Sequence, residues 1–415
     1  MSFASLRAWC ALSILLFATA VHAADDPQQA APTSSEELYL QALQSIAEGR
    51  RTDATAELRR AIEQSPNHAG AWLELALTHC ALGNSDEAER LFAVIEMRFN
   101  PSPALLELIA QTREQGCSRW DRFSSTVVMA SRGYDQNVNQ GARTNRYVVD
   151  APDGQVEYEL SGDFLPRSDQ YTQLSGETMR EVTPNGLLGF AQYQLRHNDS
   201  LHQYNTSSLF AGLEAPYRWG RWRVRATGTL GLVTLGGQLY QRQGQLQARV
   251  VPPLRLPTGM QLNVVGAITY NTFPSLTNFD STTQELRGHL SWRRGDHTVN
   301  AAFGVQNDHA LAQRPGGDRK GTYLNLLVRR HMGHGINTEL GYSRQTWDSS
   351  RVYSPDVIEV VRDQTTQVLR GSVSYAINRQ HALVLEARVV RNRENISIFQ
   401  YNNKQLQLSW QWQLP

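Results

Sequence analysis

The sequence is poor in cysteine, in net charge and in long apolar runs. Its 415 residues include three Cys, 19% charged residues and a formal net charge of +1. So few cysteines exclude a small module held together by disulfides, and a net charge near zero gives no sign of a nucleic-acid-binding protein. Beyond residue 23 no apolar run approaches the ~20 residues of a membrane-spanning helix, which excludes an ordinary helical membrane protein.

Catalytic and cofactor-binding signatures are missing too. The sequence has no G-x-S-x-G, no H-E-x-x-H and no phosphate-binding glycine loop. The H-x-x-H pair His331 and His334 falls at a predicted strand end and turn, where its spacing is weak support for a metal site. We therefore expect no enzyme activity, no cofactor and no metal.

The first 23 residues have the order of a secretory signal peptide. Arg7 precedes an apolar stretch that ends in the small residues Val-His-Ala at 21–23. Cleavage there leaves a polar leader over residues 24–34. The mature chain joins an acidic part to a basic part. Residues 24–117 hold 7 basic and 15 acidic residues, whereas residues 118–415 hold 32 basic and 24 acidic ones.

Residues 35–117 carry a helical pattern that repeats every 34 residues. Along the second helix of each unit, a small, a large and another small side chain recur at the same spacing. Proline follows the helix in the first unit, and Asn-Pro follows it in the second. The residues assigned to packing are Ala54, Leu58, Ala61, Pro66, Trp72, Leu75, Ala76, Ala88 and Phe92. This pattern resembles tetratricopeptide repeats, with about two repeats and a capping helix at 103–115. A plain pair of helical hairpins is the alternative. Either form presents a surface for a peptide or partner domain.

Two cysteines remain after cleavage of the signal peptide. Cys80 and Cys117 fall near the ends of consecutive first helices. In an oxidising compartment they can form a disulfide, and the alternative interpretation is two buried free thiols.

From residue 118 onward the hydrophobic period changes from helical to two. Residues 221–232, 240–250 and 406–414 each alternate strictly between a polar and an apolar face. The alternating segments exceed the usual 5–6 residues of soluble strands and reach the 9–11 residues of outer-membrane strands. We predict fourteen strands near 121–134, 169–182, 187–197, 203–217, 221–234, 239–251, 260–272, 281–293, 297–307, 319–331, 336–348, 363–376, 381–393 and 399–413. The predicted fold class is therefore α + β multidomain, with an α-solenoid before a 14-stranded antiparallel transmembrane β-barrel over residues 118–415.

The predicted connections are unequal in length. Short turns alternate with longer polar loops at 136–168, 309–318 and 349–362, which is the periplasmic and extracellular asymmetry of such barrels. With fourteen strands both ends of the barrel are periplasmic, and so are residues 24–117. The final strand, with Trp410 and Trp412 on its apolar face, resembles the strand that the barrel-assembly machinery recognises.

The polar face of the strands is rich in arginine. The residues assigned to the lumen are Arg196, Arg221, Arg223, Arg225, Arg249, Arg287, Arg293, Arg370, Arg388, Glu285, Glu339 and Glu386. On the lipid face such charges would cost about 2–4 kcal/mol each at the midplane, so the alternation places them in water. A hydrated lumen shaped by ion pairs is favoured over a pore selective for an anionic or acidic cargo, and both stay open.

The first strand ends in a short motif, Gly133, Tyr134, Asp135, Gln136, Asn137, Val138 and Asn139. It resembles the G-Y-D-x-N-V-N signature that opens the barrel in the surface lipoprotein assembly modifier (Slam) family. Asp and Asn suit the exit from a strand into a loop, so a structural role is favoured over a Ca²⁺ site at Asp135, Asn137 and Asn139.

The resemblance implies a function in export. Slam proteins join periplasmic tetratricopeptide repeats to a fourteen-stranded barrel and help deliver lipoproteins or other secreted proteins across the outer membrane. It implies a protein cargo or chaperone on the repeats. From the barrel and the signal peptide we expect a monomeric outer-membrane protein of a Gram-negative bacterium, with lipid around the barrel. An exopolysaccharide export porin and a passive porin with a partner-binding periplasmic module are the alternatives.

Overall fold

The computed structural model describes residues 34–99, 101–117, 123–151, 154–219, 221–355 and 357–414. Within these ranges the helices form one compact unit and the strands form another. The predicted signal peptide, residues 1–23, and leader residues 24–33 lie outside the described residues.

Five helices make up the first unit, as the sequence predicts. They are α1 (Ser35–Ala47), α2 (Arg51–Gln64), α3 (Ala69–Ala81), α4 (Ser85–Phe99) and α5 (Pro103–Gln115). None of these described helices is both long and apolar enough to cross a membrane. Gly49 and Gly83 follow the first helix of each repeat, and both have φ of +79°, a conformation that glycine adopts without steric cost.

The interior of the helical unit follows the 34-residue pattern. Ala54, Ala61, Ala76 and Ala88 have no exposed surface, which lets neighbouring helices approach closely. Leu58, Leu75 and Phe92 fill the remaining space and are at most 3% exposed. Trp72 is half-buried and donates its indole N–H to the carbonyl of Pro66 at 3.0 Å. The exposed Pro66 therefore acts through its backbone.

The second unit is a closed antiparallel barrel of fourteen strands, which confirms the predicted fold class. Its strands are β1 (Ser124–Asp135), β4 (Asp169–Glu181), β5 (Leu188–Asn198), β6 (Thr206–Trp219), β7 (Trp222–Leu235), β8 (Gln238–Val251), β9 (Met260–Thr272), β10 (Ser281–Arg294), β11 (His297–Ala310), β12 (Arg319–His331), β13 (Ile336–Ser354), β14 (Ile358–Ala376), β15 (His381–Glu394) and β16 (Tyr401–Leu414). Two further strands, β2 (Arg146–Ala151) and β3 (Gly154–Glu159), form a separate hairpin. The barrel closes where β1 pairs with β16, from Thr126 opposite Leu414 to Asp135 opposite Gln405.

Each strand has an apolar outer face and a polar inner face. The outer face leaves large side chains exposed, such as Leu230 at 73% and Leu246 at 72%. Inner side chains meet across an intervening strand, as where Gln345 of β13 donates to Gln306 of β11 at 3.0 Å. Such contacts are possible only on the concave side of a closed sheet. The inner surface of this barrel is therefore polar.

The structure differs from the prediction in two places, both at one rim of the barrel. We call the rim at the start of β1 and the end of β16 the turn end, and the opposite rim the loop end. At the loop end, the predicted loop 136–168 contains the β2–β3 hairpin. The predicted loop 349–362 is mostly strand, because β13 and β14 continue pairing beyond Asp348, with register shifts, up to Ser354 opposite Ile358.

Candidate functional site: the barrel lumen and its seam

Eleven of the twelve residues predicted to line the lumen lie on the inner face of a strand. They alternate with the exposed leucines of the outer face in β5, β7, β8, β10, β13, β14 and β15. Arg221 differs, because it lies in the turn just before β7 begins at Trp222. The inner wall therefore carries an arginine-rich surface over about half of its strands.

Several of these charges are brought together as ion pairs. The Glu339 carboxylate forms ion pairs with Arg329, at 2.5 Å, and with Arg370. Glu386 lies 3.7 Å from Arg370, and Glu285 lies 2.8 Å from Arg287 on the same strand. These pairs lie on the inner face, and they balance much of the charge in that part of the lumen.

Two charged groups near the loop end were not singled out from the sequence. Asp308, whose side chain is 1% exposed, accepts from Arg314 at 2.7 Å and from Arg319 at 2.5 Å. Glu394 accepts from Arg362 at 2.6 Å. The alternation of β11 and β15 already places Asp308 and Glu394 on the inner phase, so the sequence held a signal for both acids. Their arginine partners lie 6 to 32 residues away, which alternation does not reveal.

Neutral polar side chains cover much of the remaining inner wall. Gln241 donates to Asn271 at 2.9 Å, and Gln245 donates to Thr269 at 3.0 Å. Gln241, Thr269 and Asn271 line a recess of about 440 Å³, together with Trp347 and the charged side chains of Glu285, Arg314 and Arg319. The recess offers both donors and acceptors to a polar polymer.

The motif at the end of β1 ties together four strands at the loop end of the seam. Asp135 is 2% exposed. Its carboxylate accepts from Arg196 of β5 at 2.6 Å, from Gln405 of β16 at 2.8 Å and from the backbone N–H of Asn137 at 3.0 Å. The Arg196 guanidinium also lies 3.8 Å from the ring of Tyr171 on β4. We call this set of contacts the seam clasp.

Asn137 completes the seam clasp from the loop side. It is 1% exposed, and its side-chain amide donates to the carbonyls of Gly141 and Asn402, both at 3.0 Å, while its oxygen accepts from the Gly141 N–H at 2.7 Å. Its backbone N–H also lies 3.1 Å from the side-chain oxygen of Asn403. Asn139 points elsewhere and bonds the backbone of Asp163, Leu165 and Arg167. The three polar motif residues therefore serve two different parts of the loop end.

The other motif residues have distinct places. Gly133 lies under the ring of Tyr171, and a Cβ at this position would overlap that ring. The Tyr171 hydroxyl donates to Gln407 of β16 at 2.8 Å, which adds another bond across the seam. Tyr134 is 47% exposed on the outer face. Within the described ranges, no cluster of three His, Cys, Asp or Glu side chains is placed to hold a metal ion.

The helical unit contains a disulfide between Cys80 at the end of α3 and Cys117 just after α5. It closes a loop of 37 residues in sequence separation. Arg113 of α5 adds charge contacts, since its guanidinium bonds Glu89 at 2.7 Å and Glu96 at 2.6 Å on α4, which raises the pKa of Arg113. The capping helix is therefore held by covalent and ionic contacts.

Two titratable groups of α3, the buried His79 and the half-buried Glu74, have shifted pKa values. Burial lowers the pKa of His79, and the neighbouring Arg59 guanidinium lowers it further. Both ring nitrogens of His79 face donors, the amide of Asn84 and Arg59, each at 3.2 Å. Burial also raises the pKa of Glu74. Protonation of His79 is therefore unfavourable in the folded helical unit.

Comparison with known proteins identifies the helical unit. A family model described as tetratricopeptide repeat matches residues 45–112. The match covers the helical unit alone, so it identifies that unit and not the whole chain. A search of curated proteins finds no match to this sequence.

The barrel is similar to solved outer-membrane proteins of low sequence identity. An anion-selective porin from Comamonas acidovorans has a TM-score of 0.39 and 9% identity, over 71% of this chain and 99% of that one. In-vitro folded OmpT of Vibrio cholerae has a TM-score of 0.39 and 7% identity, over 71% and 98%. OccAB3 of Acinetobacter baumannii has a TM-score of 0.36 and 9% identity, over 70% and 99%.

Proposed function

We propose that this chain is an outer-membrane, translocon-like protein that aids the export or surface display of a secreted protein or lipoprotein. The observation that carries the proposal is the joining of two parts in one chain, a tetratricopeptide-type unit and a closed fourteen-strand barrel with an apolar outer face. The repeats are suited to binding a protein, and the barrel is suited to a passage through lipid.

The exposed apolar surface supports a membrane location. Strands of 11 to 19 residues reach or exceed the 9–11 that span an outer membrane at a tilt. A soluble protein would not expose leucines continuously around a closed sheet, whereas lipid covers them at no cost. We place the turn end and residues 24–117 on the periplasmic side of a Gram-negative outer membrane, because an even number of strands brings both barrel termini to one rim.

The proposed partners follow from this placement. A protein cargo or its chaperone binds the repeats, and the barrel-assembly machinery engages the final strand β16. That strand carries Trp410 and Trp412, which stack with each other and with His381 on the outer face near the turn end. Aromatic side chains at this level suit the membrane interface. We propose a monomer, since the closed barrel leaves no strand edge to pair with a second copy.

An exopolysaccharide export porin is the second candidate. It is favoured by one observation, the recess near Trp347, which Gln, Asn and Thr side chains line together with the charged Glu285, Arg314 and Arg319. Hydroxyl-rich polymers are recognised by such amide and hydroxyl groups, often beside an aromatic ring. A passive porin with a partner-binding periplasmic unit stays a third alternative.

Deletion of the gene, followed by comparison of the cell surface, tests the proposal. We expect one or a few secreted proteins or lipoproteins to disappear from the surface while remaining in the cell. A plasmid copy of the full chain should restore them, whereas a copy lacking residues 35–117 should insert as a heat-modifiable barrel and fail to restore them. An unchanged surface proteome with loss of surface polymer would reject protein export in favour of polysaccharide export.

A further inference from the structure

On β13 to β16 the apolar outer face of the barrel ends in basic side chains. Along β16 the outer side chains are apolar from Trp412 to Leu406, and the next one toward the loop end is Lys404. Arg391 follows the apolar outer positions of β15, and Arg344 follows those of β13. All three basic side chains are exposed. We call Arg344, Arg391 and Lys404 the basic cluster.

The strand register brings the three members of the basic cluster together. Arg344 and Arg391 are both opposite Gln367 of β14, so their Cα atoms are two strand spacings apart, about 10 Å. Arg391 is opposite Asn402 of β16, and Lys404 lies two residues from Asn402, at a diagonal separation of about 7–8 Å from Arg391. Long basic side chains span these distances, so the three charges can converge on one anionic headgroup.

The basic cluster is not neutralised within the part of the chain that the structure describes. Its three side chains have no ion pair or hydrogen bond to a residue of the described ranges. The nearest acids along the outer face of these strands, Asp348 and Asp363, lie four residues farther toward the loop end, about 14 Å along the strand. Asp348 is opposite Lys320, and Asp363 is diagonal to Arg393. Because like charges so close repel each other, an external anion would stabilise the cluster.

The depth of the basic cluster corresponds to a membrane interface. Trp410 and Trp412 lie at the interface near the turn end, and Lys404 is eight residues from Trp412 along β16. At about 3.4 Å per residue and a tilt of about 40°, Lys404 lies about 21 Å farther along the barrel axis. The apolar band of outer-membrane barrels is about 25 Å tall, and a charge near its edge costs only about 0–1 kcal/mol. The cluster is therefore level with lipid headgroups on the loop-end side.

We propose that the basic cluster binds the phosphate groups of a phosphorylated glycolipid of the lipid A type in the outer leaflet. This rests on the outer-membrane location and orientation proposed above, and not on the nature of the cargo. Acyl chains lie along the apolar outer face of β13 to β16, while the guanidinium and ammonium groups donate to phosphate oxygens. The side-chain amides of Gln367 and Asn402, in the same row as Arg391, offer hydrogen bonds to sugar hydroxyls.

Direct binding to the full-length protein in detergent micelles tests the proposal. Affinity-tagged protein is immobilised, and the bound amount of fluorescent lipid A is measured over a range of concentrations. Arg391→Glu should raise the Kd at least tenfold, which corresponds to about 1.4 kcal/mol, whereas Arg391→Lys should stay within about threefold. Enzymatic removal of the phosphate groups from lipid A should weaken its binding to the parent protein at least tenfold.

Arg242→Glu is the matched control for the loss of charge. Arg242 is an exposed outer-face arginine of β8, nine residues from the turn end of its strand at Val251. Its directly opposite neighbours are the uncharged Leu232 and Thr272, so it belongs to no cluster. This variant reverses the same charge on the same face, and it should leave the Kd within about twofold. The heat-modifiable gel shift confirms that each variant folds.

Three results would overturn the proposal. They are an absence of lipid A binding by the folded protein, equal weakening by Arg391→Glu and Arg242→Glu, and binding of dephosphorylated lipid A or of phosphatidylglycerol as tight as that of lipid A. The two proposals can fail separately. If Arg391→Glu weakens lipid A binding while the surface proteome of the deletion strain is unchanged, the lipid site stands and the export function is wrong. If deletion changes the surface proteome but the folded protein binds no lipid A, the lipid site alone is wrong.

Discussion

Removal of the Asp135 carboxylate should open the seam of the barrel. Asp135→Ala deletes the acceptor for Arg196 at 2.6 Å and for Gln405 at 2.8 Å. The Asp135 side chain is 3% exposed and that of Arg196 is 16% exposed, so the guanidinium is left in a site with little water. The substitution therefore acts on β1, β5 and β16 at once.

The expected loss follows from the burial of this ion pair. Breaking a buried pair by removing one partner costs about 3–5 kcal/mol. Arg196 retains the Tyr171 ring and a contact to Asn198 at 3.3 Å, so we expect the lower end, about 3 kcal/mol. Asp135→Asn keeps the shape and loses the charge, and it should cost about 1.5–3 kcal/mol, the range of a charged hydrogen bond.

A double-mutant cycle measures the coupling. The free energy of unfolding in urea is followed by tryptophan fluorescence in micelles for Asp135→Ala, Arg196→Ala and the double variant. Coupling of about 1–3 kcal/mol is expected, since groups that share a charge contact are not additive. A cost below about 1 kcal/mol for Asp135→Ala, or additivity within about 0.5 kcal/mol, would refute the structural role of the seam clasp.

Three further substitutions test other parts of the structure. Gly133→Ala should cost about 1–3 kcal/mol by overpacking against the tyrosine ring above it, whereas Gly266→Ala, whose Cβ meets open space, should be nearly neutral in the same urea assay. Cys80→Ser with Cys117→Ser should lower the free energy of unfolding of the helical unit by about 3–4 kcal/mol, and reductant should have the same effect on the parent protein, as monitored by circular dichroism at 222 nm. Because the pKa of His79 is lowered on folding, the unfolded chain binds the proton first. Helical stability should therefore be full above pH ~6.5 and fall as the pH drops below it; His79→Gln should flatten this dependence, and an unchanged pH profile would contradict it.

Most of the fold follows from two periodicities in the sequence. The predicted strand 260–272 coincides with β9, and the predicted helix 103–115 coincides with α5. Alternation works here because one face of each strand meets an apolar surface and the other meets water, so the pattern is repeated fourteen times. The β2–β3 hairpin was missed because each of its strands has six residues, fewer than the 9–11 that identify a membrane-spanning strand. The outer parts of β13 and β14 were missed because register shifts between Asp348 and Ser354 interrupt the regular alternation there.

The candidate site was less predictable than the fold. Alternation predicts that residues such as Arg225 and Arg370 lie on the inner face, because this requires only their odd or even position along the strand. Alternation does not predict which charged residues form ion pairs. Asp135 and Arg196, for example, are 61 residues apart in sequence and meet across an intervening strand. Which arginines lie beside an acid depends on the register of neighbouring strands.

The seam clasp also sets an order in which the barrel can mature. Its bonds join Asn137 to Asn403 and Asp135 to Gln405, across sequence separations of 266 and 270 residues. Farther along the same pair of strands, Ser131 of β1 donates to Ser409 of β16 at 2.9 Å, across 278 residues. Contacts so distant in sequence form late, because the loop they close is long. Until β16 is in place, the buried polar groups of β1 lack these partners. A half-assembled barrel therefore differs from a completed one in the unpaired polar groups at the end of its first strand.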